Sequence, residues 1–164
     1  MLENGAVGAS PSQWIEVLQA NGIASEVLPS GDEYQNLRVP PDQIVSCLAC
    51  LKDSPLTRAN LLMAVTGSDL TDAFEVLYHV HSLLLGTSIM IKARITDRAN
   101  PTIDSVCSIH LGANYHEREI FDLFGISFKN HPNMKRILLP EHWKGHPLRK
   151  DYVMDDERLS WNAR

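Results

Sequence analysis

The stretch HEREIFDLFGISFKNHP, His116 to Pro132, places two histidines and three carboxylates close together. Residues of these types hold metals, move protons or simply face water. His116-Glu117 starts like the H-E-x-x-H zinc signature, but Ile120 stands where the second histidine belongs. His142 and His146 are four apart, yet Gly145 and Pro147 argue against a helix carrying both. With Glu141 they are the kind of arm residues that a stand-alone metal hydrolase would use. His79 and His81 fall on one strand face, opposite the apolar one, and are expected in solvent. The chain has seven histidines without a ligand pattern, which argues against a metal site. Cys47-x-x-Cys50 lies within a predicted helix. An iron–sulfur cluster wants four ligands and a redox pair wants a helix N-terminus, so these are read as small core residues. There is no glycine-rich phosphate loop and no G-x-S-x-G elbow. No complete catalytic constellation is present.

The element that positions this stretch is a helix over Tyr115–Phe124, with Asn114 as N-cap and Gly125 as stop. At about 100° per residue, Leu123, Ile120, Phe124 and Phe121 fill one arc. Arg118, Asp122 and Glu119 fill the opposite one, where Arg118 and Asp122 would form an exposed pair worth about 0.2–0.5 kcal/mol. Glu117 falls in the middle of the apolar arc. A bare buried carboxylate is costly. Two remedies stay open: a capping box reaching back to the Asn114 backbone N–H, or a buried ion pair with an Arg or Lys from the tail or a partner.

Upstream, residues 1–9 are expected to be loose. Ser10, Pro11 and Gly22 frame a helix whose Trp14 and Leu18 share a face. Ile23–Leu28 and Gln35–Val39 flank the turn residues Pro29 to Asp32 and predict a hairpin. A helix follows near Asp42–Lys52, then a buried strand at Leu61–Val65. Phe74, Val76, Tyr78 and Val80 alternate, as do Ile89, Ile91, Ala93 and Ile95, with Gly86 between them. This predicts a second hairpin. The fold class is α+β: a small mixed β-sheet with helices on one face, followed by an extended C-terminal arm. The expected organisation is a domain over residues 10–127 and an arm over 128–164. Pro132, Pro140, Pro147 and Gly145 keep that arm irregular. Ile137, Leu138, Leu139, Trp143 and Tyr152 make it too apolar to float, so it needs a surface to lie on.

The net charge of −5 argues against nucleic-acid binding. The start MLENGAVGASPSQW lacks the character of a secretory signal. The longest apolar stretches fall short of the roughly 18 residues a membrane span needs. Three cysteines fit a reducing compartment better than a disulfide framework.

From Ala113 to Tyr152 the order Glu117-Arg118-Glu119, Asp122-Leu123-Phe124-Gly125-Ile126, Phe128, His131-Pro132, Arg136-Ile137-Leu138, Trp143, Gly145, Pro147-Leu148-Arg149-Lys150-Asp151-Tyr152 resembles the C subunit of NADH-quinone oxidoreductase, respiratory complex I. The family often has Trp at Tyr115 or His116, Gly at Asn130 and Leu at Met134; these departures bear on the subclass. The resemblance implies a hydrophilic subunit of the peripheral arm, without a cofactor of its own and non-catalytic in isolation. Iron–sulfur clusters, FMN and quinone would belong to partner subunits. It implies a tail docked on the subunits flanking the terminal iron–sulfur cluster and the quinone site, on the cytoplasmic side, with only indirect membrane contact. Trp143, Ile137 and Leu138 would be apolar anchors, and Arg136, Arg149, Lys150 and Asp151 charged contacts. An equivalent subunit of a ferredoxin- or deazaflavin-dependent dehydrogenase, or of a membrane-bound hydrogenase, is the related alternative. A free-standing peptide-binding module is another class.

Overall fold

The computed structural model describes residues 11–29 and 34–153. Residues 1–9, Ser10, most of the first turn and the end of the arm lie outside these. The elements are α1 (Pro11–Ala20), β1 (Glu26–Leu28), β2 (Gln35–Val39), a 3-10 turn (Pro41–Gln43), α2 (Ile44–Asp53), β3 (Leu61–Asp69), β4 (Phe74–Ser82), β5 (Thr87–Ile95), β6 (Thr102–Asp104), α3 (Ala113–Phe124) and β7 (Ser127–Lys129).

Five strands form one sheet in the order β1-β2-β5-β4-β3, and β6 and β7 form a separate parallel pair. Both predicted hairpins are present: β1–β2 and β4–β5 pair antiparallel. β2 and β5 run parallel, which makes the sheet mixed. Because side chains alternate along a strand, one face of the sheet collects Leu37, Val39, Phe74, Val76, Tyr78, Val80, Ile89, Ile91, Ala93 and Ile95, all buried. Trp14, Val17 and Leu18 of α1, Ile44, Leu48 and Leu51 of α2, and Ala113 and Ile120 of α3 pack on that face. Cys47 is a buried free thiol in this core, pushed above its ordinary pKa by burial and then by Cys50.

Two expectations are corrected here, and one pair of strands is new. The strand near Leu61 is not buried: β3 is the edge of the sheet, with a bulge between Leu62 and Ala64, and Leu61 and Met63 are exposed. Its apolar run carries no mark of which neighbour it lacks. The histidines of β4 are not in open solvent. His79 lies against the Tyr34 ring at 4.8 Å, and His81 Nδ1 is 2.8 Å from Ser88 Oγ. Long side chains on the outer face cover one another. The β6–β7 pair is not readable in the sequence, since three-residue strands carry too little alternation. It matters for function, because Phe128 is buried in β7 and leads the chain into the arm beside α3.

Candidate functional site

α3 is the axis of the site. Gly125 ends it in a left-handed conformation, φ 72°, donating its N–H to Phe121 C=O as the sequence suggests. Its start differs from expectation. The cap position is Gly112, with no side-chain cap, and Asn114 lies inside the helix. The capping box therefore does not form, and no Arg or Lys among the described residues pairs with Glu117. Glu117 is fully buried, and the loop after β6 supplies its partners. Val106 N–H donates to Oε1 at 2.8 Å. Ser105 Oγ donates to Oε2 at 2.6 Å, and Cys107 Sγ lies 3.4 Å from the same oxygen. All three donors are neutral. Burial raises the Glu117 pKa, and the bonds from Ser105, Val106 and Cys107 and the nearby His131 offset only part of that. Burial also pushes the Cys107 thiol up to about 11.

Asp122 reverses the sequence expectation. The helical wheel puts it on the outer arc, paired with Arg118, yet it is fully buried. The arm folds across this side of α3 and turns a solvent-facing position into an interior one. Oδ2 accepts three consecutive backbone N–H groups, from Ile137, Leu138 and Leu139, at 2.8–3.0 Å. Oδ1 accepts from Arg136 at 2.6 Å. Burial alone would raise this pKa, but those four donors outweigh it and hold the carboxyl below its usual range. Arg118 donates instead to the backbone carbonyls of Lys135 and Arg136. Arg136 also reaches Gly145 C=O, so its guanidinium is engaged inside the chain.

The rest of the motif continues this pattern. His146 Nδ1 is 3.0 Å from Asp122 C=O, and its ring meets Phe121 edge-on. A Cβ on Gly125 would stand 2.5 Å from the His146 ring. A Cβ on Gly145 would stand 2.8 Å from Tyr152, so Tyr152 closes over that glycine. Leu148 N–H donates to Leu123 C=O. Arg149 lies over the Phe74 ring at 4.8 Å and donates to Arg98 C=O. Lys150 N–H donates to Asp69 Oδ2, which also binds Arg98. The Arg98 guanidinium, together with the Lys150 and Thr71 N–H groups, holds Asp69 well below the usual carboxylate range. Asp151 reaches Arg98 at 3.6 Å but remains exposed. Phe124 packs against the core and against Gly67 of β3. Pro147 and Trp143 are half-buried, and Pro132 is exposed. Glu119 is exposed and has no hydrogen-bond or ion-pair partner among the described residues.

Sequence reasoning missed Asp69, Arg98, Ser105 and Cys107. Asp69 and Arg98 lie far from the motif in sequence, and Ser105 and Cys107 sit in a separate loop just before it, so all four meet it only through folding. Of these, only Cys107 carried any signal, as an odd thiol.

Cys107, Glu117 and His131 bring one ligand atom each within 4.8 Å of one another. The hydrogen bonds argue against a metal there. Asn133 N–H donates to His131 Nδ1, so in the neutral ring Nε2 bears the proton and points it toward Asn114 C=O at 3.2 Å. A metal-ligating histidine has the reverse arrangement, its second nitrogen donating. Glu141, His142 and His146 do not converge: the first two are exposed, and His146 is turned to α3. The hydrolase reading has no site in these residues.

What this site offers the outside is apolar. Ile137, Leu138 and Leu148 are 36%, 59% and 51% exposed, with Leu111 and Tyr115 at 87% and 66%. Charged groups held inward display aliphatic ones outward.

Comparison with known proteins bears on this surface. A family model described as "Respiratory-chain NADH dehydrogenase, 30 Kd subunit" matches residues 37–158. The C subunit of the NADH-quinone oxidoreductase of Roseiflexus sp. (strain RS-1) is 43% identical over 126 residues, 75% of this chain and 72% of that protein. Its counterpart from Citrifermentans bemidjiense is 44% identical over 119 residues, 71% of this chain and 72% of that one. Among solved structures, a chain of the membrane-bound sulfane sulfur reductase, an archaeal respiratory membrane complex, superposes with a TM-score of 0.69 at 28% identity. The match covers 85% of this chain and 83% of the other.

Proposed function

The chain belongs to the family of 30 kDa subunits of respiratory-chain NADH dehydrogenases, and from that premise we propose that it is a structural subunit of an NADH-quinone oxidoreductase. In this reading it supports electron transfer from NADH through iron–sulfur clusters to quinone, coupled to proton translocation, without performing a chemical step itself. The clusters, FMN and quinone sit in partner subunits. The chain lies on the cytoplasmic side as part of the peripheral arm, docked on the subunits flanking the terminal cluster and the quinone site. Its contact with the membrane runs through those partners. None of the helices among the described residues is long and apolar enough to cross a membrane.

One observation carries the reading. Asp122 binds three successive amides of the 137–139 turn, and this fixes Ile137 and Leu138 outward. A fully buried carboxylate spent on holding an apolar turn against solvent makes sense where that turn is covered by another protein. Farther along the arm, Trp143 is half-buried and Leu148 exposed, and Lys150 and Asp151 add exposed charge. Arg136 and Arg149, the other charged contacts the motif suggested, act by shaping the surface from within.

Extraction from native membranes in mild detergent tests this, with iron, labile sulfide and flavin measured on whatever copurifies. The expected result is a large assembly rich in iron and sulfide and containing FMN. A lone chain would overturn it. Trp143→Ala is expected to weaken association by about 2 kcal/mol, read as loss of the chain from the extracted complex; unchanged assembly would remove Trp143 from the interface. The likeness to the archaeal sulfane sulfur reductase chain favours a second reading, a related membrane complex with another electron donor. An iron-rich assembly lacking flavin would select it.

A further inference from the structure

We propose that the free edge of β3, with the groove between it and α3, receives an extended strand from another subunit of the complex, adding a sixth strand to the sheet. The proposal rests on the subunit reading above and deepens it by naming where and how one partner binds.

β3 is nine residues long and lies at the sheet's edge. Its sequence LLMAVTGSD has no charge before Asp69 and no proline. Proteins ordinarily blunt an open edge with charges, prolines or very short strands. The single device here is the bulge between Leu62 and Ala64; beyond it, Ala64 to Asp69 pair with β4 in unbroken register. Among the described residues, no hydrogen bond reaches the 61–68 backbone on the side away from β4.

Beside this edge runs a groove of about 270 Å³. It is lined by Ala64 to Gly67 of β3, by Ile120, Leu123 and Phe124 as an apolar floor from α3, and by Leu148 of the arm. Gly67 lets α3 come this close: a Cβ there would stand 2.9 Å from the Phe124 ring. An added strand places alternate side chains toward α3, on this apolar floor, and leaves its backbone to pair with the edge. His116 and Glu119 of α3 also line it. Glu119, exposed and without a partner among the described residues, supplies the charge match. The incoming strand carries apolar residues at alternate positions and an Arg or Lys where it passes Glu119. The groove continues into the outward surface of the arm through Leu148, so one partner covers both.

The test uses the full chain, alone and in the extracted complex. Amide hydrogen exchange over residues 61–69 is expected to slow in the complex at about half of the amides, those facing away from β4. A photo-crosslinking residue in place of Met63 is expected to capture a single partner protein, at one extended segment, and the same residue in place of the exposed Val27, on the opposite edge strand β1, is not. Glu119→Arg is expected to lower incorporation into the complex at least tenfold while leaving the isolated chain's melting temperature unchanged. The proposal is overturned if the complex assembles around the chain but exchange at 61–69 is the same as in the free chain. It is also overturned if the crosslink joins Met63 to residues 154–164 of the same chain, or to a second copy. Failure to assemble at all with the wild-type chain would instead overturn the subunit reading, so the two failures are separable.

Discussion

The sheet half and the arm half of this molecule are held by different forces. In the sheet, β4 and β5 contribute alternating apolar residues to one continuous core, and burial of area does the work. That attraction is non-directional, so residues of similar volume serve nearly as well. Around α3, two carboxylates with no exposed surface, Glu117 and Asp122, fix a loop and a turn through hydrogen bonds. Those bonds are directional, and each partner left behind is a buried polar group without a mate. The comparison teaches that the sheet should tolerate apolar swaps that keep volume, while the α3–arm layer should fail on changes that alter no volume at all.

Asp122→Ala is the harshest break. It strands three N–H groups and the Arg136 guanidinium, and should cost about 3–5 kcal/mol in urea unfolding, as broken buried ion pairs do. Asp122→Asn, nearly the same shape, should still cost more than Ile91→Val in the middle of β5, which removes a methylene for about 0.5–1.5 kcal/mol. Equal costs would erase the distinction between the two halves. Glu117→Ala comes next: it leaves the Val106 N–H and Ser105 hydroxyl buried without an acceptor, for about 1–3 kcal/mol each at most. Gly125→Ala combines a left-handed φ with a side chain directed at His146, and should cost about 1–3 kcal/mol, seen as a lower melting temperature.

The smallest effect is also the most discriminating. Asp122 and Asp69 have native pKa values below the unfolded value of about 3.9. Their stabilisation is present above that value and is lost as pH falls through the native ones. Glu117 is shifted the other way: its native pKa lies above the unfolded value of about 4.3, so its contribution declines as pH rises between the two. Glu117→Gln should therefore flatten stability against pH on the side above about 4.3, and leave the acid limb set by the aspartates. A pH profile that Glu117→Gln does not change would place that carboxyl in an ordinary solvated environment.

The same contrast governs what the sequence disclosed. The β4 and β5 faces were legible because period-two alternation is a repeated signal. Trp14 with Leu18 and the Gly125 stop were legible for the same reason, as regular local patterns. Glu117 announced itself as buried, since it interrupts an apolar arc, but its donors Ser105 to Cys107 come from another segment and could not be read from α3. Asp122 gave no warning. Its helix position is a solvent position until the arm crosses it, and nothing local records that the arm will. The metal-like cluster of Cys107, Glu117 and His131 was hidden in the same way, because three residues of different segments share no spacing.

The central claim is that the buried carboxylate of Asp122 binds the arm to α3 and so builds the surface the partners meet. Amide exchange at residues 137–139 tests it most directly, in the full chain with Asp122 intact and with Asp122→Asn. The account predicts slow exchange at all three amides in the intact chain and fast exchange in the variant. It also predicts unchanged protection across Val76 to Val80 of β4. Fast exchange at 137–139 in the intact chain would contradict it, as would protection that survives the substitution.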